Sequence, residues 1–164
     1  MQVDANLKRN FPRLAAWIAH EIPKCRYDPR IWSAFLEFSE LDEDDAASAL
    51  ADAGTPPTID VGIMLSDGQY RPRFKRNREK IFVSRRLCRR FENTEADYRI
   101  MKPHDLLMKA VILHEMIHWA DAKDGTKQPD VAVFDPETGE TKKRDVGFQF
   151  EMRAFYGIYT RELL

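Results

Sequence analysis

Apolar residues recur at helical intervals through the first third of the chain, give way to short β-branched runs, and return to helical spacing in two later segments. In "FPRLAAWIAHEIP" Leu14, Trp17, Ile18 and Ile22 share one helical face, with Pro12 suited to a first turn and Pro23 closing the segment. "DPRIWSAFLEFSEL" predicts a second helix, and "LDEDDAASALADAG" a third that opens on acids and stops at Gly54. The runs "IDVGIML", "QYRPRF" and "KIFVS" carry β-branched or aromatic residues and are punctuated by turn chemistry such as Ser66-Asp67-Gly68, which predicts a small sheet. A long helix follows from about Pro103 to Gly125. "VAVFDPETGETKKRD" predicts a hairpin turning over Pro136 to Gly139, and "GFQFEMRAFYGIYTRELL" an amphipathic closing helix. The pattern implies an α+β fold, mostly helical, in a single domain over 1–164.

Composition narrows this only modestly. With 43% apolar residues among 164, the chain can bury a substantial core. Its 26 basic and 27 acidic residues favour neither a nucleic acid nor a membrane partner overall. Cys25 and Cys88 lack the spacing of a zinc knuckle or a redox pair, so two reduced thiols are expected. No run reaches the roughly 18 apolar residues of a membrane span, and the start "MQVDANLKRNFPRL" has no apolar signal core. Synthesis in the cytoplasm without a signal peptide is the expectation, which leaves a specialised secretion machine as a way out.

The segment "VILHEMIHWAD" changes the picture. Its helix is apolar nearly all round, from Leu106 to Ala120, which predicts burial at the centre of the domain. His114, Glu115 and His118 must then find partners inside, because a buried ionisable group left alone is costly. His114 and His118 are one turn apart on one face, with Cβ atoms about 5 to 6 Å apart. Two imidazoles so placed can bind one zinc ion at about 2.0 to 2.1 Å each. Glu115 is rotated about 100° from His114, poorly placed to ligate but able to reach a water on the open side. This is the HExxH arrangement of zinc peptidases; the plain alternative is a metal-free pair of core histidines.

A catalytic zinc needs a third protein ligand and an open position. Asp124 is one candidate, but without a glycine turn at Asp121 the helix should carry it off the metal face. Asp121 lies about 4.5 Å further along the axis than His118 and is better suited to orienting a ligand, or simply to solubilising a helix end. Glu151 is the strongest candidate, since it flanks the stripe formed by Phe148, Met152, Phe155 and Tyr159. Its bland alternative is an ion pair with Arg153 or Arg161.

"HEMIHWADAKDG" followed by "DVGFQFEMRAFYG" resembles the metallopeptidase toxin family, carried as effector domains by bacterial type VI secretion and polymorphic toxin systems. The similarity covers roughly residues 80 to 157 and rests on the HExxHW-type helix and the later Gly-x-x-Phe-Glu helix. It implies a zincin-like fold whose C-terminal helix supplies the third ligand: metal ligands His114, His118 and Glu151, Zn2+ as cofactor, and Glu115 as the base. It further implies a gluzincin-type peptidase with a protein or peptide substrate, a cognate immunity protein, a delivery module, and release into the periplasm of target cells. For stabilising an oxyanion, Tyr98, Tyr156, Tyr159 and His104 are all chemically able, and the sequence selects none of them.

Two rival readings come from other features. "RPRFKRNREKIFVSRRLCRR" holds ten Lys or Arg residues between 71 and 90, with Glu79 as its only acid. Such a patch suits a nucleic acid, an acidic substrate or an immunity partner, although a solvated face is more common. On that basis the chain would be a binding module with a structural HExxH helix. The second rival keeps zinc chemistry but assigns it to an intracellular regulatory protease, similar to the anti-repressor or DNA-associated peptidases that share HExxH and a later Glu-x-x-Ala helix. Within the peptidase readings, "KIFVS" could align a peptide as an edge strand or be ordinary sheet.

Overall fold

The computed structural model describes residues 1–101, 103–123, 129–135 and 140–157. It is an α+β fold in which helices dominate. A short strand β1 (Gln2–Val3) leads into α1 (Ala5–Asn10), α2 (Pro12–Glu21), a 3₁₀ turn at Pro23–Tyr27, α3 (Pro29–Ser39) and α4 (Glu43–Leu50). Strands β2 (Thr58–Gly62), β3 (Gly68–Tyr70) and β4 (Lys80–Ser84) follow, then α5 (Arg85–Asn93), α6 (Ala96–Met101) and the long α7 (His104–Asp121). A hairpin of β5 (Val131–Asp135) and β6 (Glu140–Arg144) precedes α8 (Val146–Phe155).

Short polar side chains start most of these helices. Asp4, Asp28, Asp42, Ser84 and Asp145 each accept a hydrogen bond from a first-turn N–H of α1, α3, α4, α5 and α8 respectively. The ends are equally local: α3 stops at Glu40 and α8 at Tyr156, both in the left-handed conformation. Helix α4 ends at Leu50, before the expected Gly54, because Ala51 is already extended.

The main sheet runs β1-β2-β4-β3, parallel except for β3 against β4. Ile59, Ile81 and Val83 are fully buried beneath the helices. This order corrects one expectation: β4, the "KIFVS" run, is an interior strand, and the edge belongs to β3. Strand β1 and helices α1, α5 and α6 add to what the sequence pattern predicted. In α5 the apolar Leu87, Cys88 and Phe91 form the buried side of an arginine-rich segment.

Helix α7 is the central element. Met108, Ala110, Ile112, Leu113, Met116 and Ile117 are all fully buried, and α7 packs against β3, β4, α3, α5 and α8. Helix α8 closes the core, where Phe150 meets Phe35 of α3 edge to face at 6.4 Å and Phe155 at 5.8 Å. The buried face of α8 consists of Val146, Gly147, Phe150, Glu151, Ala154 and Phe155. The expected stripe through Phe148 and Met152 is therefore out of phase: Met152 is exposed and Phe148 half-buried, while Tyr159 lies outside the described residues. Phe148 is spent elsewhere, its ring standing edge-on to the His114 ring at 4.9 Å and beneath the Arg144 guanidinium at 5.2 Å. Both thiols are buried and free; burial pushes Cys25 up to about 11 and Cys88 to about 12, which makes them inert.

Candidate metal centre

Helix α7 sets His114 and His118 one turn apart with ring centroids 4.9 Å apart, and their Nε2 atoms approach to 3.2 Å. Two imidazole lone pairs facing each other at this distance repel unless a proton or a cation lies between them. Two nitrogens bound to one tetrahedral zinc at about 2.0 to 2.1 Å would lie about 3.3 Å apart, so the spacing suits an ion.

A carboxylate completes the triangle. Asp145 Oδ1 lies 3.8 Å from His114 Nε2, and its Oδ2 lies 3.5 Å from His118 Nε2. One ligand atom from each of these three residues falls within 4.8 Å of the others, a donor set of two imidazoles and a carboxylate that fits a borderline-soft ion such as zinc. Asp145 is also the N-cap of α8, accepting from Phe148 N at 3.1 Å. Burial alone would raise its carboxyl. The hydrogen bond to His118, the one from Phe148 N–H, and the charges of His118 and His114 outweigh burial and hold it at about 2.

Glu151, the carboxylate that the spacing favoured, meets the same histidine from another side. Its Oε1 meets His114 Nδ1 at 2.6 Å, on the side of the ring away from Asp145 and His118, and the residue is 3% exposed. That contact puts a proton on Nδ1 and leaves Nε2 as a lone pair in the neutral ring. Burial opposes charge on His114, yet the hydrogen bond to Glu151 and the charges of Glu115, Glu151 and Asp145 raise its pKa above the ordinary value. Arg153 pairs with Glu37 at 3.6 Å, so the alternative of a Glu151–Arg153 ion pair does not form, and Arg161 lies outside the described residues.

The first turn of α8 presses directly on this ring. A Cβ at Gly147 would come within 2.5 Å of His114 Cδ2 and Nε2, so only glycine lets the backbone approach so closely. On the adjoining face of α7, Glu115 is buried against β3. A Cβ at Gly68 would meet its Oε1 at 2.7 Å, and the Tyr70 backbone N–H lies near enough to favour the charged carboxylate. Burial drives the Glu115 pKa upward; the charges of His114 and His118 and the Tyr70 N–H oppose this without cancelling it. A carboxyl raised in this way is a better proton acceptor than an exposed one.

The remaining sequence candidates fall outside this cluster or outside the described residues. Asp121 is buried at the end of α7, and Asp124 lies outside the described residues. His104 sits at the start of α7, about 15 Å along the axis from His114, and takes a hydrogen bond from Arg90 Nε. It is too far away to serve the centre. Tyr98 is half exposed on α6, and Tyr156 lies under Arg30 with its ring 4.5 Å from the guanidinium. The residue that sequence reasoning passed over is Asp145. Its signal was an aspartate directly before an apolar helical run, which reads as an ordinary cap.

No curated protein and no solved structure matches the chain. A comparison with protein families does match, to metallopeptidase toxin 3 over residues 7–157, a span that includes every residue of the centre. Nearly the whole chain thus carries the pattern that its two motif helices suggested, and the chain belongs to the metallopeptidase toxin 3 family.

Proposed function

We propose that the chain is a zinc-dependent endopeptidase that acts as an antibacterial effector, with His114 and His118 as metal ligands and Glu115 as the base. The observation that carries this reading is the 3.2 Å approach of two half-buried Nε2 atoms beside a carboxylate within 3.8 Å of both. For the third ligand the geometry favours Asp145, with Glu151 holding His114 from behind; the spacing argument for a gluzincin favours Glu151 itself. Retention of zinc in Glu151→Ala but not in Asp145→Ala supports the first assignment, and the opposite result supports the second.

Zinc, when bound, supplies Lewis acidity that lowers the pKa of water toward about 7 and polarises a scissile carbonyl. The chain's own residues do the rest. Glu115 accepts a proton from the attacking water and returns it to the leaving amine, its carboxylate packed between α7 and Gly68 of β3. Glu151 keeps the His114 ring in one tautomer and one orientation. Strand β3 offers an edge for an extended peptide. Ser84 N donates to Asp67 O, so in this antiparallel register Gly68 and Tyr70 turn their N–H and C=O away from β4; Gly68 O accepts from Ser66 Oγ at 2.8 Å and the Tyr70 N–H faces Glu115, which leaves the Gly68 N–H and the Tyr70 C=O for a peptide.

The effector reading adds a cognate immunity protein, a delivery module and action in the periplasm of a target cell. Its support is the toxin family, together with the fact that no helix among the described residues is long and apolar enough to cross a membrane. The test compares Glu115→Gln with the unmodified chain. The variant should keep its zinc and lose about 10²- to 10⁴-fold in peptide hydrolysis, and with it toxicity when directed to the periplasm. Undiminished cleavage by the variant would remove Glu115 from the mechanism.

A further inference from the structure

The ten cations of the basic stretch do not form one surface. Lys80 is held by Asp4 at 2.9 Å and Asp60 at 3.1 Å, and Arg90 donates to His104. Arg85, Arg86 and Arg89 lie exposed on α5, beyond the C-terminal end of β4. The rest belong to the connector between β3 and β4. Arg73, Lys75, Arg76 and Arg78 are all exposed there, and none of them forms an ion pair among the described residues.

This connector is joined to the candidate centre at both ends. It starts where β3, whose Gly68 packs against the Glu115 carboxylate, ends at Tyr70. Its last residue, Glu79, accepts from Trp119 Nε1 at 2.8 Å, next in sequence to His118 on α7. That contact ties the one acid of the basic stretch to α7, and no ion pair joins it to Arg73, Lys75, Arg76 or Arg78 among the described residues. The Tyr70 hydroxyl donates to Arg78 O at 3.0 Å and pins the connector across the end of the strand. At the other end of β3 the loop before Gly68 contains no cation; it presents Ile63, 82% exposed, and Leu65, 91% exposed. A peptide laid along the β3 edge therefore meets positive charge on one flank of its scissile bond and apolar side chains on the other.

We infer that this centre selects extended peptides with acidic residues on a single flank of the cleaved bond, bound by Arg73, Lys75, Arg76 and Arg78. The inference rests on the peptidase reading of the centre, and it names the substrate class that reading leaves open. Charges of this kind at the rim of a binding site act mainly through encounter and salt-dependent affinity, so the effect belongs in binding and KM. Little change in kcat is expected.

Binding to zinc-loaded Glu115→Gln chain tests the inference without needing turnover. The probes are matched peptides carrying three glutamates or three lysines on either flank of a common apolar centre. At low salt the peptide with glutamates on the preferred flank should bind at least about tenfold tighter than its lysine counterpart, with the gap closing as salt rises. The triple charge reversal Arg73→Glu, Lys75→Glu and Arg78→Glu, all at exposed positions, should abolish or invert the gap. The corresponding reversal of Arg85, Arg86 and Arg89 should leave it intact. Equal binding of all the peptides, a gap that survives the connector reversal, or tighter binding of a single-stranded oligonucleotide at the connector would each overturn the inference. If wild-type chain fails to hydrolyse peptides that it binds with this preference, the peptidase reading fails while the acidic-peptide site stands.

Discussion

Helices α3 and α7 lie side by side in the core but fill it differently. Helix α3 buries Ile31, Ala34 and Phe35 and turns Arg30 and Glu37 outward, as an amphipathic helix does. Helix α7 is apolar on nearly every side, yet its interior also holds Glu115 and Asp121, with His114 and His118 only partly exposed. Such groups oppose folding unless they are paired, and here their partners face inward: Glu151 behind His114, Asp145 in front, and the charges of both histidines beside Glu115. The contrast separates a helix whose residues serve packing from one whose polar residues cost stability and are useful only for chemistry.

The sharpest break in that contrast is Glu115→Leu. It should abolish peptide hydrolysis, a loss of about 10²- to 10⁴-fold or more, while the metal-free chain melts no lower than the original. Thermal unfolding beside an activity assay checks both halves, and a large fall in melting temperature would mean that Glu115 holds the fold together. Phe35→Ala on α3 should do the reverse. Truncating a fully buried aromatic that meets Phe150 should cost about 3 to 5 kcal/mol in denaturant unfolding, with kcat unchanged in the fraction that remains folded. A smaller effect sharpens the division within the polar set: Glu151→Gln keeps an acceptor for His114 Nδ1 but loses its charge, and should weaken zinc binding by about 10- to 100-fold in a competition titration.

The same contrast explains what could be read from the sequence. Helix α7 was legible because a largely apolar run with His114 and His118 one turn apart and Glu115 beside the first is a local pattern with few other meanings. The carboxylate at 151 was noticed because it sits among phenylalanines, but its role depends on which face of His114 it meets, and that is decided by how α8 docks on α7. The docking also shifted the buried face of α8 away from Met152. Phe148 was drawn to the His114 ring, which no periodicity could indicate. Asp145 stayed hidden because a capping aspartate has a sufficient local explanation, and only the return of the chain through the β5–β6 hairpin brings it to the histidines. Helix α5 was masked by its arginines, although Leu87, Cys88 and Phe91 already gave it an apolar side.

The central claim is that His114, His118 and an acid from the start of α8 hold one metal ion, and metal content per chain tests it most directly. Elemental analysis of protein purified without chelator should give about one zinc per chain, retained in Glu115→Gln and lost in His118→Ala and Asp145→Ala. Zinc absent from the unmodified chain and not taken up on addition, or bound as tightly by His118→Ala as by the original, would contradict the account.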